Sequence, residues 1–384
     1  MISWELTPEQ KTLRDTVHRF AEKQIRPLAQ QMDETCETDE GLLEKAKEMG
    51  LPGCTVPREY GGGGLDVVSS AIVGEELAWG CAAFAVTVTE DWISCMPLLE
   101  VGTEEQKKKW LPRVAEEGKL IGTAITEPGA GSDVSTLATF ARKDGNLYTL
   151  NGTKHFITNG GIADFYNVFA TLDKSKGYKG ITAFLVDSQT PGFYPGKKER
   201  KMGLSSSHTG ELIFENVCVP GENLLGVEMG GFRVAMKLLD YSRVIIASVA
   251  VGLARAAMEE AAKYAQERVQ FGKPIGVNQG VSFKLADMAI KVQAARHLMW
   301  HAAWLADQGK SYSHEAAMAK CFASDVAMWV TTEAIQVFGG AGYMKDFQLE
   351  KWMRDAKILQ IVVGTNEIQR MLISRVMMPD LGKI

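Results

Sequence analysis

The sequence predicts an α+β chain in three consecutive parts: an N-terminal helical domain over 1–119, a central β domain over 120–228 and a C-terminal helical bundle over 229–384. Three observations predict it. Apolar residues recur at helical spacing up to about Glu117. Between about Leu120 and Leu225 the chain turns to β-branched and aromatic runs punctuated by turn residues. From Gly231 onward, long periodic segments rich in Ala, Leu, Met and Glu return. At 384 residues the chain is too long for one ordinary core, so two or three domains are expected.

Helix one is announced by Thr7 as N-cap, Pro8 at the first helical position and Gln10 where a capping box needs its third residue. Leu13, Val17, Phe20 and Ile25 then recur at helical spacing. After a break over Glu34–Asp39 a second helix runs through Lys45 to Gly50, and Gly61–Gly64 read as a surface loop, with no preceding strand and no Gly-Lys-Ser/Thr to make a phosphate loop. Helical pattern resumes from Val68 to Glu117. In the β domain, Lys143-Asp144-Gly145-Asn146 is a hairpin signal, and Asn151-Gly152 and Asn159-Gly160-Gly161 mark further turns. FYNVFATL, ITAFLVD and ELIFENVCV read as strands. One long helix follows from Gly231, then helices over about Val281–Asp307 and His314–Phe338, the last closed by Gly339.

Composition excludes several functions. A net charge of −5 argues against binding nucleic acid or anionic membranes. The start MISWELTPEQ carries neither a secretory nor a transit pattern, so a cytoplasmic protein is expected. The longest apolar run, Val244–Ala254, is too short to span a bilayer and marks a buried helix. The six cysteines show no C-x-x-C pair and no zinc spacing, so they are expected to be reduced, with no metal site.

Five segments carry the chemistry, in order. Ile125-Thr126-Glu127-Pro128-Gly129-Ala130-Gly131-Ser132-Asp133 offers a glycine-containing turn whose N–H groups can approach a flavin or phosphate closely. Lys154-His155-Phe156-Ile157-Thr158-Asn159-Gly160 places an aromatic near a threonine. Arg268-x-x-Phe271-Gly272-Lys273-Pro274-Ile275 with Gln279 supplies a guanidinium suited to a diphosphate. Gln336-Val337-Phe338-Gly339-Gly340-Ala341-Gly342-Tyr343 and RDAKILQIVVGTNEIQR over 354–370 close the series.

Together these segments resemble the acyl-CoA dehydrogenase family over nearly the whole chain. The resemblance implies that family's fold, with a β-barrel-like middle domain and a C-terminal four-helix bundle, FAD as cofactor, a homotetramer, an acyl-CoA thioester substrate and an electron-transfer flavoprotein as acceptor. It assigns flavin contacts to Ile125, Thr126, Gly131, Ser132, Phe156, Thr158, Arg268, Phe271, Gln279, Gln336, Gly340, Thr365 and Glu367. Part of that set would come from a neighbouring subunit. Ser132, Asp240, Arg243, Val363 and Gly364 would contact the thioester and its CoA.

The resemblance also exposes a defect. Most members carry a Glu immediately before the Gly-Thr, and it removes the proton alpha to the thioester carbonyl. Here that residue is Val363, which has no proton-accepting atom. Some branches place the base one residue before the Arg of the CoA-binding helix, but here that residue is Ser242. Both homes of the base are empty.

A replacement is sought in CAAFAVTVTEDWISCMPLLEVG, which corresponds to the helix lining the acyl end of the family's pocket. On a helix Phe84, Val88, Asp91 and Cys95 share one face, so Asp91 would sit among apolar neighbours. Burial would raise its pKa from about 3.9 toward useful basicity. The plainer alternative is that Asp91 caps or pairs locally while Glu90 faces water. A base at the acyl end fits removal of a gamma proton from an already α,β-unsaturated thioester, with hydride leaving another carbon for the flavin. The expected reaction is 1,4-elimination from cyclohex-1-ene-1-carbonyl-CoA to a conjugated diene, as in an alicyclic branch of the family. The alternatives are a conventional α,β-desaturating dehydrogenase, an enoyl-CoA reductase using another acid such as Glu90, or a catalytically silent acyl-CoA or flavin binder.

Overall fold

The computed structural model describes residues 5–378 and residue 380. Residues 1–4, on which part of the leader reading rests, and the outer ends of the expected first and third domains lie outside the described residues.

The capping box forms as the sequence predicts: Thr7 Oγ1 accepts from the Gln10 amide at 3.2 Å, and Gln10 Oε1 accepts from the Thr7 amide at 3.1 Å. Helix α1 (Pro8–Phe20) continues through a π-helical turn at Ala21–Ile25 into α2 (Arg26–Thr35), burying Val17, Phe20 and Ile25. Leu13 is only partly buried. Then come α3 (Glu40–Glu48), α4 (Val67–Gly80), α5 (Ala82–Val101) and α6 (Glu104–Ala115). Helices α4 and α5 are buried nearly all round, because they are layered between the other helices and the sheet.

The middle region is one eight-stranded sheet: β1 (Ile121–Ala124), β2 (Phe140–Asp144), β3 (Leu147–Thr158), β4 (Phe165–Thr171), β5 (Ile181–Asp187), β6 (Phe193–Lys198), β7 (Thr209–Pro220) and β8 (Leu224–Leu225). Its path runs β6-β7-β3-β2-β4-β5-β8, and β1 joins it by pairing in parallel with β4, Ile121 opposite Phe165 through Ala124 opposite Val168. Pairing of Asp144 with Leu147 closes the β2–β3 hairpin around Gly145 at φ 57°. The turn expected at Asn151-Gly152 is absent. These residues lie inside β3, where the register against β7 shifts between Leu150 and Gly152, so the pair marks a bulge. A Cβ at Gly152 would stand 2.5 Å from Thr139 Oγ1, which explains the glycine.

Helix α7 (Gly231–Glu267) buries the whole Val244–Ala254 run. A short hairpin, β9 (Val269–Gln270) and β10 (Lys273–Pro274), leads to α8 (Gln279–Asp307), α9 (Ser313–Phe338), α10 (Leu349–Leu359) and α11 (Asn366–Met377). Gly339, at φ 62°, ends α9 as the sequence predicts. Helices α7, α8 and α9 pack on one another, while α4 and α5 pack on α7. The first and last helical regions therefore share one apolar core, from Val17 through Trp92 and Val249 to Leu359.

A second cluster packs Cys95, Leu98, Trp110 and Leu111 of α5 and α6 against Phe165, Phe169 and Leu185 of the sheet. Each such side chain fully removed from water contributes roughly 1.5–3 kcal/mol. Helix α5 is thus wedged between the helical core and β1. All six cysteines are free. No helix among the described residues is long and apolar enough to cross a membrane, and no His, Cys, Asp or Glu cluster among them could hold a metal.

Candidate active site

The loop after β1 is held from β3. Lys154 Nζ donates to Ile125 O at 2.9 Å and Glu127 Oε1 at 2.7 Å, and the next amide, His155, donates to Thr126 O at 2.8 Å. Glu127 also accepts from the amides of Ala138 at 2.5 Å and Thr139 at 2.9 Å, while its backbone exchanges two hydrogen bonds with Ala130. Lys154 and Glu127 are both buried. Burial lowers the Lys154 amine to about 8 against the pull of Glu127. Burial would raise Glu127, but the Lys154 charge and the donated hydrogen bonds outweigh it and hold the carboxyl below its usual range. The two residues belong to different motifs, Ile125–Asp133 and Lys154–Gly160. A Lys and a Glu in separate segments give no signal that they meet until β1 and β3 are brought together.

What the pair fixes is a platform. Ile125, Thr126 and Thr158 are partly exposed, and Phe156 keeps 59% of its surface open at φ 58°. The His155 ring stacks on Phe156 at 3.9 Å, and its Nε2 lies 3.0 Å from Glu199 Oε1. Neither the Thr126 nor the Thr158 hydroxyl has a hydrogen bond among the described residues, so both are free to meet a ligand. Gly131 and Ser132 are exposed, and a Cβ at Gly129 or Gly131 would meet nothing within 4 Å. A flat aromatic, two free hydroxyls and open backbone suit a planar ring with hydrogen-bonding edges, so these residues fit an isoalloxazine.

The other expected flavin contacts lie elsewhere. Arg268, Phe271 and Gln279 are exposed around the β9–β10 hairpin, and Phe271 is 100% exposed at φ 52°. Gln336, Gly340 and Glu367 are exposed at the end of α9, just beyond it and in the first turn of α11. Thr365 caps α11, its Oγ1 accepting from the Ile368 amide at 3.4 Å. No hydrogen bond among the described residues joins either group to the Thr126–Phe156 platform.

On α7, Arg243 Nη1 donates to Asp240 Oδ1 at 2.6 Å, and Asp240 also accepts from Ser313. Arg243 Nε is buried without a partner among the described residues. Ser242 is buried, and its hydroxyl donates to Leu239 O at 2.9 Å, so it is no proton acceptor in waiting. Val363 has φ 51° and Gly364 φ 90°. A β-branched residue in the left-handed region carries strain on the order of 1–3 kcal/mol, which the surroundings must offset. Val363 is partly exposed and borders the helical core together with Val86, Ile125, Leu239 and Val362.

The acidic pair of α5 faces β1. Among the described residues strand β1 pairs only with β4, and the amides of Ile121 and Thr123 are taken by side chains: Asp91 Oδ1 accepts from Ile121 at 3.0 Å and Glu90 Oε1 from Thr123 at 3.3 Å. Asp91 is 0% exposed, and its Oδ2 has no partner among the described residues. Burial drives its pKa well above the carboxylate range, the charges of Glu90 and Asp164 add to this, and the Ile121 amide opposes it. The plainer expectation, that Asp91 caps or pairs locally, is not met: its bonded oxygen reaches the Ile121 amide of β1, 30 residues along the chain. Glu90 does not face open water: it is partly exposed, also accepts from Ser94 Oγ at 2.8 Å, and burial lifts it to about 8. Ser94 Oγ lies 2.8 Å from Thr123 Oγ1, and Asn167 Nδ2 donates to Ser94 O at 2.6 Å, so a polar seam crosses the α5–sheet contact.

Comparison with known proteins identifies the family. Three family descriptions match in succession: acyl-CoA dehydrogenase N-terminal domain over 7–118, middle domain over 122–217 and C-terminal domain over 229–378. An acyl-CoA dehydrogenase of Bacillus subtilis is 49% identical, covering 96% of this chain and 98% of that protein. The solved butyryl-CoA dehydrogenase of Megasphaera elsdenii superposes with a TM-score of 0.96 at 46% identity, covering 98% of this chain and all 100% of that one. A chain in an Acidaminococcus fermentans structure, determined in work on its electron transferring flavoprotein, gives a TM-score of 0.96 at 47% identity and covers 98% of this chain and 100% of its own. The chain therefore belongs to the acyl-CoA dehydrogenase family, as an FAD-dependent oxidoreductase of CH–CH groups.

Proposed function

We propose that the protein dehydrogenates cyclohex-1-ene-1-carbonyl-CoA to a conjugated cyclohexadiene thioester by 1,4-elimination, with Asp91 as the base. One observation carries this reading. The family's base position is Val363, while a fully buried carboxyl with one unpartnered oxygen stands on the helix corresponding to the acyl end of the family's pocket.

FAD, when bound, supplies the hydride acceptor. Ile125, Thr126, Gly131, Ser132, Phe156 and Thr158 would hold it together with Arg268, Phe271, Gln279, Gln336, Gly340, Thr365 and Glu367, partly from a second copy of the chain. The fully exposed Phe271 supports that division, since a large aromatic at a hairpin tip calls for a partner. A homotetramer and an electron-transfer flavoprotein complete the assembly. Asp240 and Arg243 contact the CoA, Ser132 contacts the pantetheine or CoA, and Val363 and Gly364 line the thioester. The conjugated carbonyl makes the gamma proton acidic, and Asp91 Oδ2 takes it in surroundings that favour the neutral acid. Val363 offers nothing to the alpha carbon, so the saturated substrate's proton stays in place.

A second reading is conventional short-chain dehydrogenation with Glu90 as the base. Its support is the likeness to butyryl-CoA dehydrogenase, the partial exposure of Glu90 and its pKa near 8. Product mass after anaerobic reaction with each thioester separates the two. A diene from the cyclic enoyl thioester supports the first, and an enoyl product from a saturated thioester supports the second.

A further inference from the structure

The turn carrying Val363 is held by two side chains with no assigned task. Gln369 Nε2 donates to Val363 O at 3.2 Å and to Gly364 O at 2.8 Å, and Lys320 Nζ of α9 donates to Gly364 O at 2.8 Å and to Asn366 Oδ1 at 2.9 Å. Asn366 is tied back to α9, donating to Ser324 Oγ at 2.9 Å and Asp325 Oδ1 at 2.8 Å. Lys320 and Gln369 are both 0% exposed. No carboxylate lies within ion-pair distance of Lys320 among the described residues, so this buried amine is bound by neutral oxygens alone, and burial lowers it to about 8. A buried amine without a counter-ion is costly to keep.

What it holds is costly as well. Val363 is β-branched at φ 51°, and a Cβ at Gly364 would stand 2.7 Å from Gln369 Nε2, so the turn is pressed against its clamp. We propose that Lys320, with Gln369, is a positioning residue that locks the Val363–Gly364 turn in its left-handed form and so fixes Val363 as a rigid wall selecting the acyl group. This rests on reading Val363 as part of the acyl site.

The test is a double-mutant cycle on the FAD-loaded enzyme: Lys320→Met, Val363→Gly and both together. The probe is the redox-inert thioether analogue of cyclohex-1-ene-1-carbonyl-CoA, with the butyryl thioether analogue beside it, and the readout is the dissociation constant from the change in flavin absorbance. Lys320→Met is expected to weaken the cyclic analogue about tenfold and the butyryl analogue less. In the Val363→Gly background, where glycine adopts the turn without strain, the same change is expected to cost twofold or less. Equal losses in both backgrounds, or equal losses for both analogues, would overturn the proposal by making Lys320 a general support. If Lys320→Met does not retain FAD, Gln369→Leu enters the same cycle with the same two outcomes. Binding of these analogues needs no turnover, so the clamp is tested even if the 1,4-elimination fails, and that failure appears separately as no diene from the wild type.

Discussion

Asp91 Oδ1 accepts the amide of Ile121 at 3.0 Å, while Oδ2 of the same carboxyl is also enclosed and has no partner among the described residues. One oxygen finishes the unpaired edge of β1. Buried polar atoms are rarely left without a partner unless they serve a purpose, and the second oxygen is the one the proposed base needs.

Replacing Asp91 by Asn keeps an acceptor for Ile121 and removes the base. Turnover of the cyclic thioester is expected to fall by about 100- to 10,000-fold with FAD retained. Stability moves the other way. A carboxyl whose folded pKa is raised stabilises fully only below its unfolded pKa and loses that contribution as pH rises through the folded value. Thermal unfolding at pH 8 should therefore show Asp91→Asn no less stable than wild type.

Activity should also report the titration. Asp91 accepts a proton only when ionised, so kcat/KM is expected to fall as pH drops through a value well above the ordinary carboxylate range. The nearby Glu90 charge raises that value. In Glu90→Gln the acid limb should move to lower pH, and an unmoved limb would mean the two carboxyls do not interact.

Val363→Glu restores a carboxylate where most of the family has one. Flavin bleaching by butyryl-CoA is expected to rise at least 100-fold over wild type. Stopped-flow absorbance under argon measures it directly.

The Lys154–Glu127 pair supports the Ile125–Thr126 loop from below. Lys154→Met leaves Glu127 buried with an uncompensated charge, and such a loss costs on the order of 3–5 kcal/mol. Urea unfolding should show that cost, and the protein should be purified with little FAD. The wild-type pair should weaken in acid, because Glu127's depressed folded pKa contributes stability above its unfolded value that is lost as pH falls through the folded one.

Much of this was legible in the sequence, because signals such as Thr7 through Gln10, Gly145-Asn146 and the end of α9 at Gly339 act within a few residues. The family was legible for the same reason, since its motifs are contiguous segments. Contacts between segments were not. Lys154 meets Glu127, and Lys320 meets Gly364, only through the packing of β1 on β3 and of α9 on the 360–366 turn. Asn151-Gly152 misled because a bulge and a turn ask for the same residues, and only the register against β7 distinguishes them. The acidic pair was found by its apolar surroundings, but its attachment to the edge of β1 depends on which strands flank that edge.

The most direct test of the account is anaerobic titration of the FAD-loaded protein with cyclohex-1-ene-1-carbonyl-CoA and, separately, with butyryl-CoA, following flavin absorbance and product mass. The account predicts bleaching by the cyclic thioester with loss of two hydrogens, and none by butyryl-CoA. Bleaching by butyryl-CoA alone would contradict it and assign the alpha carbon a base that Val363 cannot be.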